Sequence, residues 1–454
     1  MSAYGRVYRG LLMPAWETLV RRRATLEHLR ALEQTQWASR EALAGIQAAS
    51  VERLIAHAYE HVPYYTDLFD DLGLRPADIR GPGDLEKLPA LTRQAARAAG
   101  PRRRSTSAPL PTIQKRTGGS TGQPLTFEYE TASESWRQAV RMRGYAWAGC
   151  LPGERTLHYW GRLQGQPHNT HWLKVAVDRG LRGEHVVDCG LRSEETLGET
   201  ARWITHARPT AIVAYCHAAV DLARYINEHG LRTWKTIPVI CCAEQLLPSD
   251  RKVLEAAFGP AVFESYGCRE FMLIGMECAA HAGLHLSVEN LIVELRVKNG
   301  AGSRAARPGE EGEVVITDLH NFGMPFIRYV TGDVAVRSDD ETCACGRASP
   351  RLSSISGRVT DTLRRQDGSR VEGILFNVIF TELADAVRQF QVVQASDRSI
   401  TLRLVLDPSF TEAHRSGIRA RCRQYLGDLP LQIEEVQSIA EHANGKRQVV
   451  IAEA

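Results

Sequence analysis

The chain has no long apolar run, since none approaches the roughly 20 residues that a membrane-spanning helix requires. Its first segment also lacks a signal-peptide core with a small-residue cleavage site, and arginines recur at positions 6, 9 and 21–23. Neither sign of charge dominates, because 56 lysines and arginines face 53 aspartates and glutamates. That balance argues against a nucleic-acid partner. We therefore expect a cytoplasmic protein with no membrane or nucleic-acid partner.

Cysteine is sparse and irregularly placed, with ten residues in a chain of 454. The spacing, which includes the adjacent Cys241 and Cys242, is unlike the disulfide framework of a small secreted domain. Most of these thiols are expected in the core. The exceptions are two short patterns, Cys278-x₆-His285 and Cys343-x-Cys345 followed by glycine.

Together these two patterns offer three thiolates and one imidazole. That set completes a tetrahedral zinc shell with no open position, which is typical of a structural site. His281 competes with His285 as the fourth ligand. Buried thiols and a disulfide remain the alternatives to zinc.

Two common nucleotide-binding spacings are also missing, although a glycine-rich loop is present. The segment TGGSTGQP at 117–124 matches neither the G-x-x-x-x-G-K-[ST] loop nor the G-x-G-x-x-G fingerprint. Its lack of steric bulk still allows backbone N–H groups and hydroxyls to converge on an anion. The candidate phosphate-binding residues are Thr117, Gly118, Gly119, Ser120, Thr121 and Gly122.

The order of apolar patterns predicts an α/β fold. Residues 15–60 carry helical spacing, and strand and helix patterns alternate between 211 and 266, which indicates a largely parallel sheet. Alternating β patterns follow 285. We expect a large N-terminal domain (1–356) with mixed parallel sheets and a β subdomain, and a small mobile α+β domain (357–454). Two domains are expected because a chain of 454 residues exceeds the length at which a single hydrophobic core keeps growing.

Four further segments follow the glycine loop in a fixed order. They are 264–270 (ESYGCRE), 328–333 (RYVTGD), Gly357-Arg358-x-x-Asp361 and Asn444-Gly445-Lys446. With these segments the chain resembles the adenylate-forming superfamily of acyl-CoA synthetases, adenylation domains and luciferases. It is most similar there to the phenylacetate-CoA ligase and CapK-like branch, whose pattern also includes Leu88-Pro89-x-Leu91-Thr92.

The resemblance implies a reaction and its cofactors. A carboxylic acid and ATP with Mg²⁺ would give an acyl-adenylate and pyrophosphate, and the acyl group would then pass to coenzyme A. Such chemistry brings two anions together, so it depends on positioning and charge neutralisation. Transfer to an amine is the alternative for the second step. The alternative to an enzyme of either kind is a nucleotide-binding homologue without catalytic activity.

The resemblance also implies roles for individual residues. Tyr266, beside Gly267, would stack on adenine, and Glu244 would cover the adenine from the stretch after Cys242. Glu270 would bind Mg²⁺, and Asp333 and Arg358 would hold the ribose. Lys446 would be the mobile lysine that bridges the carboxylate and the α-phosphate. The candidates for the acid pocket come instead from the predicted strand ends, His158-Tyr159-Trp160 and Tyr215-Cys216-His217, for which plain core positions are the alternative.

Three departures from the family pattern stand out. Arg269 occupies the place of a threonine that contacts the α-phosphate, so it either binds that phosphate or leaves the role vacant. The lysine that usually follows the glycine loop is replaced by Gln123. The hinge carries Thr360 and Asp361 where relatives show two acids, which leaves the hinge residue open.

Overall fold

The computed structural model describes most of the chain. The described residues are 2–107, 112–116, 125–160, 172–189, 194–299, 302–339, 342–358, 362–366, 370–372, 376, 380, 383, 386–439 and 450–452. Among them, no helix combines the length and apolarity needed to cross a bilayer.

The N-terminal quarter is helical, as the spacing predicts. Residues 3–20, which we call the N-terminal rod, alternate α and π turns: α1 (Ala3–Val7), a π turn (Tyr8–Leu12), α2 (Met13–Ala15) and a π turn (Trp16–Val20). The following helices are α3 (Thr25–Thr35), α4 (Arg40–His61), α5 (Pro63–Asp71) and α6 (Arg93–Ala99). Short 3₁₀ turns lie at Pro76–Asp78, Pro82–Lys87 and Gly100–Arg103.

Helix α4 has well-defined ends. The Ser39 side chain accepts a hydrogen bond from the N–H of Ala42 at its start. At its other end Pro63 stops α4 but immediately opens α5, because proline is tolerated in the first turn of a helix. Helix α5 lies beyond the predicted helical spacing at 15–60, so it was not predicted.

In the part of the chain that the structure describes, 12 strands form a single mixed sheet. Its order is β11-β10-β12-β13-β14-β9-β8-β7-β6-β5-β3-β4. The parallel half holds β3 (Thr156–Trp160), β4 (Glu184–Asp188), β5 (Ala211–Tyr215), β6 (Val239–Cys242) and β7 (Val262–Cys268). The helices of this half are α7 (Thr131–Trp147), α8 (Trp172–Arg182), α9 (Glu194–Ala207), α10 (Cys216–Glu228) and α11 (Pro248–Phe258). The predicted parallel sheet is confirmed.

The other half of the sheet is antiparallel. It contains β8 (Met272–Glu277), β9 (Leu284–Leu286), β10 (Leu291–Asn299), β11 (Gly302–Ala305), β12 (Glu311–Asp318), β13 (Tyr329–Arg337) and β14 (Arg351–Arg358). A separate hairpin, β1 (Thr112–Arg116) with β2 (Thr126–Glu130), flanks the glycine-rich segment. The β7–β8 hairpin joins the two halves, so its turn lies at their junction.

The C-terminal part builds its own core. Its elements are β15 (Thr362–Arg364), β16 (Arg370–Glu372), β17 (Val387–Gln394), β18 (Ile400–Leu406), α12 (Glu412–Leu426), β19 (Leu431–Glu435) and β20 (Val450–Ala452). Four of these strands form the sheet β19-β18-β17-β20, and apolar residues of that sheet, such as Leu402, pack with Ile418 of α12. The large α/β unit and small α+β unit agree with the predicted fold class. The boundary at 357 stays a prediction, because Arg358 still pairs with Asp333 in the large sheet.

Candidate active site

The β7–β8 hairpin carries the segment from which the nucleotide site was predicted. Strand β7 continues past Tyr266 to Cys268, and a turn at 269–271 leads into β8. A Cβ atom on Gly267 would lie 2.0 Å from the carbonyl oxygen of Met272, which is closer than such contacts occur. The hairpin itself therefore requires glycine at this position, whether or not a nucleotide approaches it.

Tyr266 and Asp333 are in direct contact although 67 residues separate them. The Tyr266 hydroxyl donates a hydrogen bond to Oδ2 of Asp333 at 2.8 Å. The backbone N–H of Asp333 donates to the hydroxyl of Thr331 at 3.1 Å, at a place where the register of strand β13 is irregular. Burial and the charge of Asp333 hold the pKa of Tyr266 well above its ordinary value. The structure thus brings together the predicted adenine and ribose contacts, with the tyrosine kept as a neutral donor.

Glu270 is buried, with 7% of its surface exposed. Its Oε1 lies 3.5 Å from the Tyr329 hydroxyl and 3.7 Å from Nη2 of Arg93. Its backbone carbonyl accepts a hydrogen bond from Arg137, which is itself buried against Asp318. The turn is therefore held in place, and its carboxylate is of the kind that Mg²⁺ binds together with substrate phosphates.

Cations gather beside the same turn. Burial lowers the pKa of Lys115, and Arg137 and Arg269 lower it further. Arg269 also opposes the rise that burial causes in the pKa of Tyr215. The Lys115 ammonium lies 5.1 Å from the centre of the Tyr129 ring. Sequence reasoning named Arg269 but missed Lys115 and Arg93. The available signals were a lysine in the strand before the glycine loop and an arginine directly after Thr92.

Glu244 follows β6 and faces the start of α10. Its Oε2 accepts a hydrogen bond from the backbone N–H of His217 at 3.0 Å and lies 3.6 Å from Nδ1 of the same residue. Burial raises the pKa of Tyr215 to about 12, and Glu244 adds to that rise. The carboxylate is thus occupied by the α10 terminus. Contact between Glu244 and adenine stays a prediction.

Glu264 was not predicted as a site residue. Its Oε1 accepts a hydrogen bond from the N–H of Leu246 at 3.1 Å, and its own N–H donates to Glu277 at 2.8 Å. Burial raises the pKa of Glu264 from 4.5 to about 7. The residue ties the stretch after β6 to the strand that carries Tyr266.

This raised pKa predicts a pH-dependent stability. Because the folded protein holds the proton of Glu264 between 4.5 and about 7, while the unfolded chain releases it, the contribution of this group to the free energy of unfolding falls as pH rises through that window. Glu264→Gln keeps the acceptor and removes the effect, so it should be stabilising above pH 7, by up to about 3 kcal/mol. Urea unfolding on both sides of the window checks this. An equal difference between the two proteins at both pH values would contradict it.

The predicted metal ligands converge in one cluster. One ligand atom from each of Cys278, His285, Cys343 and Cys345 lies within 4.8 Å of the others. Sγ of Cys278 is 3.7 Å from Sγ of Cys343, and Sγ of Cys345 is 3.4 Å from Nε2 of His285. A tetrahedron with metal–sulfur bonds of about 2.3 Å has edges of about 3.8 Å. The spacing therefore fits a metal, and it is too long for a disulfide bond.

The surroundings of His285 distinguish it from His281, the other candidate for the fourth ligand. Its Nδ1 lies 2.9 Å from the Ser349 hydroxyl, which leaves Nε2 directed at Cys345. Such an outer hydrogen bond orients metal-binding imidazoles. His281 instead lies 3.3 Å from Glu277 and outside the cluster. Cys278 directly follows β8 and His285 lies on β9, whereas Cys343 and Cys345 lie between β13 and β14. The cluster therefore ties the β8–β9 segment to the β13–β14 segment.

Some predicted residues lie outside the described part of the chain. These are Thr117, Gly118, Gly119, Ser120, Thr121, Gly122, Thr360, Asp361 and Lys446. Arg358 is described by its backbone, which pairs with Asp333 across β13 and β14. The roles of all these residues stay predictions.

The predicted acid pocket falls at the carboxyl ends of β3 and β5. The rings of Trp160 and Tyr215 lie 4.6 Å apart, which is typical of an aromatic contact. His158 lines a cavity together with Arg141 and Tyr145, and burial lowers the pKa of His158 to about 4. His158 therefore does not join this pair, because it lies in the middle of β3 and its cavity is also lined by Tyr8 and Met13 of the N-terminal rod. The acid pocket stays a prediction.

Known proteins with similar sequences are ligases that act with coenzyme A by name. The CapK C-terminal domain family matches residues 363–453. Phenylacetate-coenzyme A ligase of Thermus thermophilus is 26% identical over 369 residues, covering 78% of this chain and 78% of that protein. The Escherichia coli protein of the same name is 26% identical over 369 residues, covering 79% of each.

Solved structures show the same fold. A 2-hydroxyisobutyryl-CoA ligase in the postadenylation state has a TM-score of 0.71 at 18% identity, covering 92% of this chain and 90% of that one. In its thioesterification state, with 2-HIB-AMP and CoA, the TM-score is 0.57 at 19% identity, covering 92% and 91%. The fold is therefore that of the adenylate-forming ligases. The predicted resemblance to the phenylacetate-CoA ligase and CapK-like branch is confirmed, and the names of these relatives agree with the predicted class, an AMP-forming carboxylate ligase.

Proposed function

We propose that the protein joins a small organic acid to ATP, releasing pyrophosphate, and then transfers the acyl group from the adenylate to coenzyme A in the cytoplasm. The observation that carries the proposal is the convergence of Tyr266, Asp333 and Glu270 at one hairpin of an adenylate-forming fold. Relatives named phenylacetate-coenzyme A ligase support an aromatic acid and a coenzyme A acceptor.

The described residues suit the first half-reaction. Asp333 offers carboxylate oxygens for the ribose hydroxyls, and the Tyr266 ring offers a face to adenine. Glu270 would hold Mg²⁺, which supplies charge neutralisation at the phosphates. Arg269, Arg93 and Lys115 add positive charge around the same turn. In the proposal these cations compensate for the lysine missing after the glycine loop.

Acid-dependent exchange of pyrophosphate into ATP tests the proposal. We expect exchange with at least one member of a panel of aryl and short aliphatic acids, and thioester formation once coenzyme A is added. Product formed with amines but not with coenzyme A would favour the amide synthetase. ATP binding with no exchange for any acid would favour the non-catalytic homologue and count against the proposal.

We further propose that Cys278, His285, Cys343 and Cys345 hold a structural zinc ion. The four residues would fill all four coordination positions of a tetrahedral ion. The ion would then crosslink the loops, and no coordination position would remain for substrate. Burial raises the pKa of Cys278 to about 12, which makes an unpaired thiolate unfavourable there. A dication would supply the compensating charge.

Metal analysis is expected to find one zinc per chain. Cys343→Ser should lose the ion and lower the melting temperature, because structural zinc contributes directly to folding stability. Cys422→Ser is the matched control, since Cys422 is buried in the C-terminal core away from the cluster. Wild-type protein purified without chelator and containing no zinc would refute the site.

A further inference from the structure

The N-terminal rod turns an apolar face outward. Nine large hydrophobic side chains are exposed among the described residues, and five of them lie on the rod. These five are Tyr4 (45%), Val7 (53%), Leu11 (65%), Leu19 (74%) and Val20 (45%). We call them the outer face. Contiguous exposed apolar surface of this kind marks an interaction site.

The outer face is held in position by the opposite side of the rod. Tyr8, Met13 and Glu17 are buried, and Tyr8 and Met13 pack in a small core with Met142 of α7. Tyr4 lies at the edge of the outer face, and its hydroxyl donates to the carbonyl of Leu181 in α8 at 2.7 Å. The rod is therefore a packed element of the fold, and its exposed residues are not those of a frayed end.

Ion pairs also hold the rod in place, and they engage the acidic side chains near it. Arg9 pairs with Glu154 at 3.2 Å, and Arg21 pairs with Asp178 at 2.9 Å. Asp178 also accepts from Arg182 at 3.1 Å. These acids are therefore already neutralised by arginines.

The charge that remains outward on the rod is positive. Arg6 and Arg22 are exposed, whereas the one acid between residues 2 and 23 is Glu17, which is 2% exposed and accepts from the Thr25 hydroxyl at 2.8 Å. The rod thus combines an exposed apolar face with arginines near both ends. This composition is typical of helices that lie in the interface of an anionic membrane.

We propose that the N-terminal rod docks on an anionic lipid surface, with the outer face among the acyl chains and Arg6 and Arg22 at the headgroups. A second copy of the chain fits less well. An antiparallel pairing of two rods would bring Arg6 of one copy near Arg22 of the other, with no exposed acid of the rod between them. The expectation of no membrane partner rested on the lack of a spanning run, which does not bear on surface contact.

Vesicle sedimentation tests the proposal on the full-length protein. We expect binding to vesicles of mixed phosphatidylcholine and phosphatidylglycerol, at least ten-fold weaker binding to phosphatidylcholine alone, and weakening by salt. The double variant L11E/L19E should reduce partitioning by about ten-fold or more, because both residues are mainly exposed and would enter the acyl region. Its melting temperature should stay unchanged.

The control is Leu72→Glu, which alters an exposed leucine outside the rod, 45% exposed at the end of α5. It should bind vesicles like the wild type. Absence of binding to anionic vesicles would overturn the proposal, as would equal loss in both variants. A dimer in solution that L11E/L19E dissociates, without vesicle binding, would assign the outer face to a second copy instead. None of these outcomes depends on acid activation.

Discussion

Lys446→Ala is expected to slow formation of the acyl-adenylate by about 10²–10³-fold, the loss typical when one charge-stabilising donor is removed. The proposed reaction brings a carboxylate against the α-phosphate, and a lysine between the two anions would lower the barrier. Transfer of the acyl group from a supplied acyl-adenylate to coenzyme A should change by less than about three-fold, because the predicted role of Lys446 is confined to the first step. Pre-steady-state assays of each half-reaction measure the two effects separately.

The control for this prediction is Lys252→Ala, which removes an exposed lysine from α11. Both half-reactions should proceed at the wild-type rate in that variant. Equal losses in the two half-reactions of Lys446→Ala would show that the lysine supports folding or binding in general, and the assigned role would be wrong.

Glu270→Gln is expected to reduce adenylation by about 10²-fold or more and to raise the Mg²⁺ concentration needed for half-maximal rate, since Mg²⁺ prefers carboxylate oxygens. Glutamine keeps the shape of the side chain, so the contact with Tyr329 can persist. The turn should also persist, because Arg137 binds the backbone carbonyl of residue 270 and not its side chain. Rates measured across a Mg²⁺ titration provide the readout.

Glu60→Gln serves as the control, because the side chain of Glu60 is 72% exposed on α4. It should leave the Mg²⁺ dependence unaltered. If Glu270→Gln lowered the rate at every Mg²⁺ concentration by the same factor, the carboxylate would not be a metal ligand. A positioning role toward Arg93 would then explain the loss.

Much of the architecture could be predicted from the chain because its patterns are local. Apolar runs such as the one at Ala211–Tyr215 are buried throughout, as expected for a strand covered on both faces. Tyr266 and Asp333 were named from short motifs, and the sheet places them in contact. The four metal ligands were likewise named from spacing, and they converge.

What sequence reasoning missed depends on contacts between distant segments. Arg93 reaches Glu270 because Leu91 bridges to Tyr329 in β13. The spacing of apolar residues along the sequence cannot predict such a contact between distant segments. The pKa of Glu264 is set by burial that the fold creates. The helix that begins at Pro63 was missed because proline ends one helix and starts another with the same restricted φ.

The outer face of the rod illustrates the same limit. Leu19 belongs to the predicted helical pattern at 15–60, in which apolar residues are normally buried. The structure instead buries nearby positions of the rod, such as Met13 and Glu17, and exposes Leu19. Alternating α and π turns shift the register of the helix, so an ordinary helical period does not identify the buried side.

Transfer of oxygen isotope from acid to AMP tests the central claim most directly. If the acid attacks the α-phosphate of ATP and coenzyme A then attacks the acyl carbonyl, one carboxylate oxygen leaves with AMP. With acid labelled in both carboxylate oxygens by ¹⁸O, mass spectrometry should find one label in AMP and none in pyrophosphate. Label in pyrophosphate or inorganic phosphate, or AMP without label, would contradict acyl-adenylate chemistry for this protein.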